Sequence, residues 1–369
     1  MSRIASVTSG PYAPPTPSRE LTVVSADGAR LHVEVHGPEN APPVVLSHGW
    51  TCSTAFWAAQ IRELAADHRV IAYDQRGHGR SPASPACTTH ALADDLEAVL
   101  AQTLAPGEKA LIVGHSMGGM TVMAAAMRPR FRDHAAAVLL CSTGSSRLVA
   151  QARVVPFGAG RVRTWITGRV LGSRAPLGPV TPVAKSILKY ATMGDGSAPH
   201  MVEACARIVH ACPRAVRHAW ARVLEALDLD HGVRELHAPT AIVHGASDRL
   251  TPPVHARALV AALPHCVGLT ELPGIGHMTP IEAPGLVTGR IRELVTTYVT
   301  VTGTDTVTGT DTDTVTGTDT VTGTDTDTVT GTDTVTGTDT VTGTDTDTVT
   351  GTGPEDAHGS TPEQIKEGA

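Results

Sequence analysis

The stretch Lys109-Ala-Leu-Ile-Val-Gly-His-Ser-Met-Gly-Gly-Met120 constrains this chain more than any other. An apolar run, Leu111 to Val113, enters Gly114-His115-Ser116-Met117-Gly118, and Met120 to Met127 then suit a helix. Strand, turn and helix in such close succession require a bend so tight that bulk is excluded on both sides of the serine, hence Gly114 and Gly118. The spacing predicts an elbow that pushes Ser116 into the open. A bare Gly-x-Ser-x-Gly pentapeptide occurs often by chance, so the flanking patterns give it its weight.

Those patterns recur along the chain. Leu21 to Val24 and Leu31 to His36 are β-rich runs joined through Asp27-Gly28, a hairpin signal. Pro43 to Ser47 is a continuous apolar strand ending in His48-Gly49-Trp50, and Thr54 to Ala66 has helical spacing. Arg69 to Tyr73 is the next strand and runs into the glycine-dense loop Asp74-Gln-Arg-Gly-His-Gly-Arg-Ser81. Thr89 to Leu104 predicts an amphipathic helix, with Leu92, Leu96, Val99 and Leu100 on one side and Asp94, Asp95 and Glu97 on the other. Ala137 to Cys141 follows as a further strand. Continuous apolar strands between helices imply an α/β fold with a mostly parallel, doubly wound sheet covered on both faces.

From Ser145 to Glu235 no strand pattern is present, and helical windows such as Met201 to His210 and Arg214 to Leu227 dominate. Alternation resumes with the strand Pro239 to His244, the helix Pro253 to Leu263, the strand Val267 to Leu272 and the helix Ala283 to Val299. The expected organisation is a flexible leader at 1–20, an α/β core at 21–144 and 236–299, and a helical lid inserted at 145–235. A Val-Thr-Gly-Thr-Asp-Thr repeat at 300–352 and a polar tail at 353–369 complete it. Each repeat unit has a single strongly apolar residue, too little to build a core, so disorder is expected there.

The net charge of −7 averages unlike parts. Beyond Thr300, ten repeat aspartates and four further acids against one lysine contribute −13, leaving +6 on residues 1–299. Between Arg147 and Lys189 lie six arginines and two lysines with no acid. The plain reading is a solvated face. The sharper one is attraction of an anionic substrate or an acidic lipid surface, and the tail's aspartates are another counterpart for the same patch. The six cysteines are scattered, with no zinc-site spacing, and read as isolated thiols; no metal is expected. Neither a signal-peptide pattern nor an apolar run of spanning length is present, so a soluble, cytoplasmic protein is expected, with no nucleic-acid partner and an oligomeric state left open.

An exposed serine hydroxyl becomes a nucleophile only with a base in hydrogen-bond reach, and the base needs an orienting acid. Two loops past strand ends offer them: Gly245-Ala-Ser-Asp248 and Pro273-Gly-Ile-Gly-His277. Ser116, Asp248 and His277 thus each follow the carboxyl end of a parallel strand, where such sheets place their sites.

On these motifs the chain resembles the α/β-hydrolase fold family, in its lidded serine esterase, cofactor-free haloperoxidase and C–C hydrolase branch. The resemblance covers Leu21 to Val299 and rests on His48-Gly49-Trp50, Asp74 to Ser81, Gly114 to Gly118, Gly245 to Asp248 and Gly274 to His277, in that order. It implies a Ser116–His277–Asp248 triad, an oxyanion held by the backbone N–H groups of Trp50 and Met117, and no cofactor. His48, Gly49, Gly114, His115 and Gly118 would shape the site, and Asp74 and His78 would brace neighbouring turns. The implied substrate is a small acyl compound, and the basic run from Arg147 to Lys189 adds that it is anionic or lipid-like. Ester cleavage is the first reading, with perhydrolysis, thioester hydrolysis and C–C hydrolysis on the same site as alternatives. A small-ligand receptor with an idle Ser116 is the non-enzymatic one.

Overall fold

The computed structural model describes residues 10–300; the repeat, the polar tail and the first nine residues lie outside the described residues. Eight strands form one sheet: β1 (Arg19–Val24), β2 (Arg30–His36), β3 (Pro43–Ser47), β4 (Arg69–Tyr73), β5 (Ala110–His115), β6 (Ala135–Cys141), β7 (Thr240–Gly245) and β8 (Cys266–Leu272). Their order is β1-β2-β4-β3-β5-β6-β7-β8. The hairpin β1–β2 joins β4 antiparallel, and every pairing from β4 to β8 is parallel.

Successive strand residues point to opposite faces, so each continuous apolar run feeds two cores at once. Val45, Ile71, Ile112 and Val138 enter one cluster, and Val44, Leu46, Leu111, Val113 and Leu139 enter the other. The first cluster is closed by α2 (Thr89–Thr103), α3 (Met117–Ala125), α4 (Pro129–His134) and a later helix, α11 (Val254–Ala262). The second is closed by α1 (Ala58–Leu64) and, from the chain's far end, α12 (Thr279–Glu282) and α13 (Pro284–Tyr298). Between β6 and β7 the chain leaves the sheet for a helical insertion: α5 (Leu148–Gln151), α6 (Arg161–Leu171), α7 (Pro182–Thr192), α8 (Pro199–Ala211), α9 (Arg214–Glu225) and α10 (Asp230–Arg234). Its one strand-like contact is an isolated bridge from Ser146 to Asp228. All six cysteines are free.

Two expectations fail here for physical reasons. The leader is not loose from Gly10 onward: Tyr12 is buried, donates to Ile281 O at 3.1 Å and stacks on His200, while Arg62 holds Ala13 O at 2.8 Å. A single aromatic anchor, invisible to composition, pins the segment. Nor does Asp95 lie on the solvent side of α2. It is buried against Arg76, whose Nε and Nη2 donate to its two carboxylate oxygens at 2.6 and 2.5 Å, and whose Nη1 reaches Asp27 at 2.8 Å. The forked guanidinium matches the carboxylate edge to edge, and it clamps the Asp74–Ser81 loop to α2. Arg76→Leu, which strands Asp95 without its partner, is expected to cost about 3–5 kcal/mol in urea unfolding.

Candidate active site

The elbow is set by close packing around β5. A Cβ on Gly114 would lie 2.6 Å from the backbone of Gly118, and one on Gly118 would lie 2.0 Å from Ser47 O. Only glycines let α3 descend this far onto β3 and β5. Ser116 itself has φ 51° and ψ −117°, a strained conformation for a residue with a side chain. Its backbone is held from both sides, with Ser116 N donating to Cys141 O at 3.0 Å and Thr143 Oγ1 donating to Ser116 O at 2.8 Å. The side chain does not face open solvent as expected: Ser116 is 7% exposed, because the insertion roofs the elbow and turns the surface above it into a cavity.

His277 lines the same cavity, and Asp248 is buried against its ring. His277 Nδ1 donates to Asp248 Oδ2 at 2.8 Å, which leaves Nε2 as the acceptor of the ring. Asp248 Oδ1 accepts the N–H groups of Leu250 and Thr251 at 2.8 Å each, and Oδ2 also accepts Thr251 Oγ1 at 2.8 Å. Burial disfavours the carboxylate's charge, but His277 and these donors outweigh it and hold Asp248 below the usual range. Both Ser116 and His277 line a cavity of about 620 Å³, and no hydrogen bond joins them directly.

The loop after β3 completes the floor. Trp50 N–H has no partner among the described residues, and Met117 N–H is at the open first turn of α3, where helix donors are unpaired. Gly49 is required because a Cβ there would sit 2.7 Å from His115 Nδ1 and 3.1 Å from Ser116 Cβ. His48 is neutral: burial, then repulsion from His78, pushes it down to about 3. Its Nδ1 donates to Gly49 O at 2.8 Å and its Nε2 accepts Gln75 N–H at 3.0 Å, so the ring braces the loop and takes no place in the cavity wall. Burial also holds His78 down at about 4, and its Nε2 accepts Thr51 N–H at 3.2 Å. Asp74 accepts Thr54 N–H and Arg80 N–H, both at 2.8 Å. His115 packs on Phe56 with ring centroids 4.4 Å apart, and its Nε2 donates to His277 O at 2.9 Å. Among the described residues one His/carboxylate group has metal-like spacing, Glu20, His32 and Glu34, and it is already served by Arg80, which reaches Glu20 at 2.6 Å.

Two positioning residues escaped the sequence reading. Thr251 Oγ1 lies 3.1 Å from His277 Nδ1 and donates to Asp248, so it sets the carboxylate's rotation. Its spacing, three residues past Asp248, is the only sequence trace. Thr251→Val is expected to lower kcat roughly tenfold with KM little changed, measured by steady-state ester hydrolysis. Glu282 ties the His277 loop to the insertion: it accepts Gly276 N–H at 3.1 Å and Met278 N–H at 3.0 Å on one side, and Gly194 N–H at 2.7 Å and Ser197 Oγ at 2.6 Å on the other. His277 N–H in turn donates to Thr192 O at 2.8 Å.

The alpha/beta hydrolase fold family profile matches residues 42–173. A Variovorax paradoxus protein described as a carbamate hydrolase is 32% identical over 256 residues, spanning 67% of this chain and 89% of the relative. The chain belongs to the α/β-hydrolase fold family. Among solved structures, a thermophilic esterase from Thermogutta terrifontis superposes with a TM-score of 0.60 at 25% identity, over 76% of this chain and 99% of the esterase. The enol-lactonase from Burkholderia xenovorans LB400 gives 0.59 at 25% identity, over 75% of this chain and all of the lactonase. An enzyme of this hydrolase family therefore carries the geometry described above. No helix among the described residues is long and apolar enough to cross a membrane.

Proposed function

We propose that this hydrolase cleaves a carboxylic ester or related acyl compound by nucleophilic catalysis at Ser116. His277 Nε2 takes the Ser116 proton as Oγ attacks the acyl carbon, and the same proton then passes to the departing alcohol. The acyl group stays on Oγ. Water, giving its proton to Nε2, attacks the acyl carbon in the second half, and the proton returns to Ser116 as the acid leaves. Asp248 keeps Nδ1 protonated and stabilises the imidazolium. The N–H groups of Trp50 and Met117 receive the oxyanion, a preorganised interaction of about 3–4 kcal/mol per donor.

The observation that carries this reading is the opening of Ser116, on its strained elbow, into the same cavity as a histidine already oriented by a buried carboxylate. The cavity walls support an apolar substrate: Ile166, Val170, Leu171, Ile187 and Leu188 face it. Relatives described as a carbamate hydrolase, a 3-oxoadipate enol-lactonase and an esterase support acyl chemistry in general. Perhydrolysis, thioester hydrolysis and C–C hydrolysis would use the same three side chains. A panel of p-nitrophenyl esters of rising chain length, run with acyl-CoA and aryl diketone substrates, tests the choice. Turnover of esters above the others is expected; ester turnover absent from folded protein that a fluorophosphonate also fails to label would reject the reading in favour of a ligand receptor.

A further inference from the structure

Of the thirteen large apolar side chains exposed among the described residues, eight fall between Phe157 and Tyr190. They are interleaved with the acid-free run of arginines and lysines from Arg147 to Lys189. Phe157, Val162, Trp165, Val170, Val183 and Ile187 are each 54–69% exposed, and they lie on or beside α6 and α7. None of the six arginines has a carboxylate partner among the described residues. Of the nearby acids, Glu225 pairs with Arg222 and Asp195 with Arg249, while Glu203 takes up Lys185 of the run together with Arg207. Leaving this much apolar surface uncovered is unusual in a protein surrounded only by water.

We propose that the outer face of α6 and α7 docks on an anionic lipid bilayer and holds the mouth of the cavity against it. Large apolar side chains suit the boundary between headgroups and acyl chains, and cations around them suit the phosphates above it. Trp165, with Arg169 over its ring at 6.0 Å, is an amphipathic anchor of this kind. A second cleft shares Trp165 and Arg169 with the first and is lined by Arg147, Arg174 and Arg222 together with Glu225; Glu225 pairs with Arg222, which leaves Arg147 and Arg174 to meet a phosphate headgroup. The cavity that holds Ser116 is lined by Trp165, Val170 and Ile187, which are themselves exposed, so its mouth opens within the docking face. A second copy of this chain fits the face poorly, because a symmetric contact would set the same cations against each other.

The full chain is sedimented with vesicles of phosphatidylglycerol in phosphatidylcholine, and with phosphatidylcholine alone, at low and high salt. Binding to the anionic vesicles that falls with salt is expected. Val162→Ser/Val183→Ser and Arg153→Ser/Arg161→Ser should each weaken it, the second on the order of 30-fold, while hydrolysis of a soluble short-chain ester stays at the wild-type rate. Absent or charge-independent vesicle binding would overturn the proposal, as would wild-type affinity in both variants. A concentration-dependent dimer that Val162→Ser/Val183→Ser abolishes, without vesicle binding, would assign the face to a second copy instead. Sedimentation requires no turnover, so its outcome stands apart from that of the ester reading.

Discussion

Replacing Ser116 by alanine is expected to lower kcat/KM for the best ester by roughly 10⁵–10⁶-fold and to abolish fluorophosphonate labelling, while the unfolding midpoint stays within about 0.5 kcal/mol of wild type. The kinetic loss is expected because the cavity's other hydroxyls, on Thr51, Ser173 and Thr192, are not on the elbow, and those of Thr51 and Thr192 already donate to Trp50 O and Leu188 O. Cys52 is buried, lines no part of the cavity wall, and is held protonated by that burial. The stability expectation follows from the same geometry: the Ser116 hydroxyl makes no hydrogen bond, and the strain at φ 51° belongs to the backbone and is shared by alanine. Residual turnover should persist through the N–H groups of Trp50 and Met117, which need no nucleophile to bind an oxyanion. A small loss of rate would place the chemistry elsewhere.

Asp248→Asn tests the orientation of the base with almost no change in volume. Oδ1 is fixed as an acceptor by two backbone N–H groups, so the asparagine carbonyl must take that position and its amide nitrogen must face His277 Nδ1. Two donors then oppose each other. The imidazole resolves the clash by carrying its proton on Nε2, where it can no longer accept from Ser116. A fall in kcat on the order of 10⁴-fold is expected, with KM nearly unchanged and an intact thermal transition. Equal activity of the variant would mean that His277 is oriented by something other than this carboxylate.

Much of this arrangement is legible in the sequence because its demands are local. A serine between Gly114 and Gly118, an aspartate and a histidine just past strand ends, and apolar runs of strand length can each be read within ten residues. What escapes is set by distant partners. Arg76 draws Asp95 into the interior from nineteen positions away, and Tyr12 is anchored by Ile281 across the whole fold. Glu282 gathers donors from the insertion and from the His277 loop, and nothing in its own neighbourhood announces them. The elbow predicts an accessible Ser116; the roof that α6 and α7 place over it comes from a segment whose spacing marks only helices.

The tie made by Glu282 bears on how a reactant could get in and out. Lifting α7 away as a rigid body would break three hydrogen bonds at once, from Gly194 and Ser197 to Glu282 and from His277 to Thr192. It would also release the loop that aims the imidazole. The side chains at the rim, by contrast, can rotate without breaking any such bond. Traffic through this enzyme is therefore cheapest by rearrangement of Trp165, Ile187 and their neighbours at the doorway, with the hinge of the roof left locked and His277 held in register with Asp248.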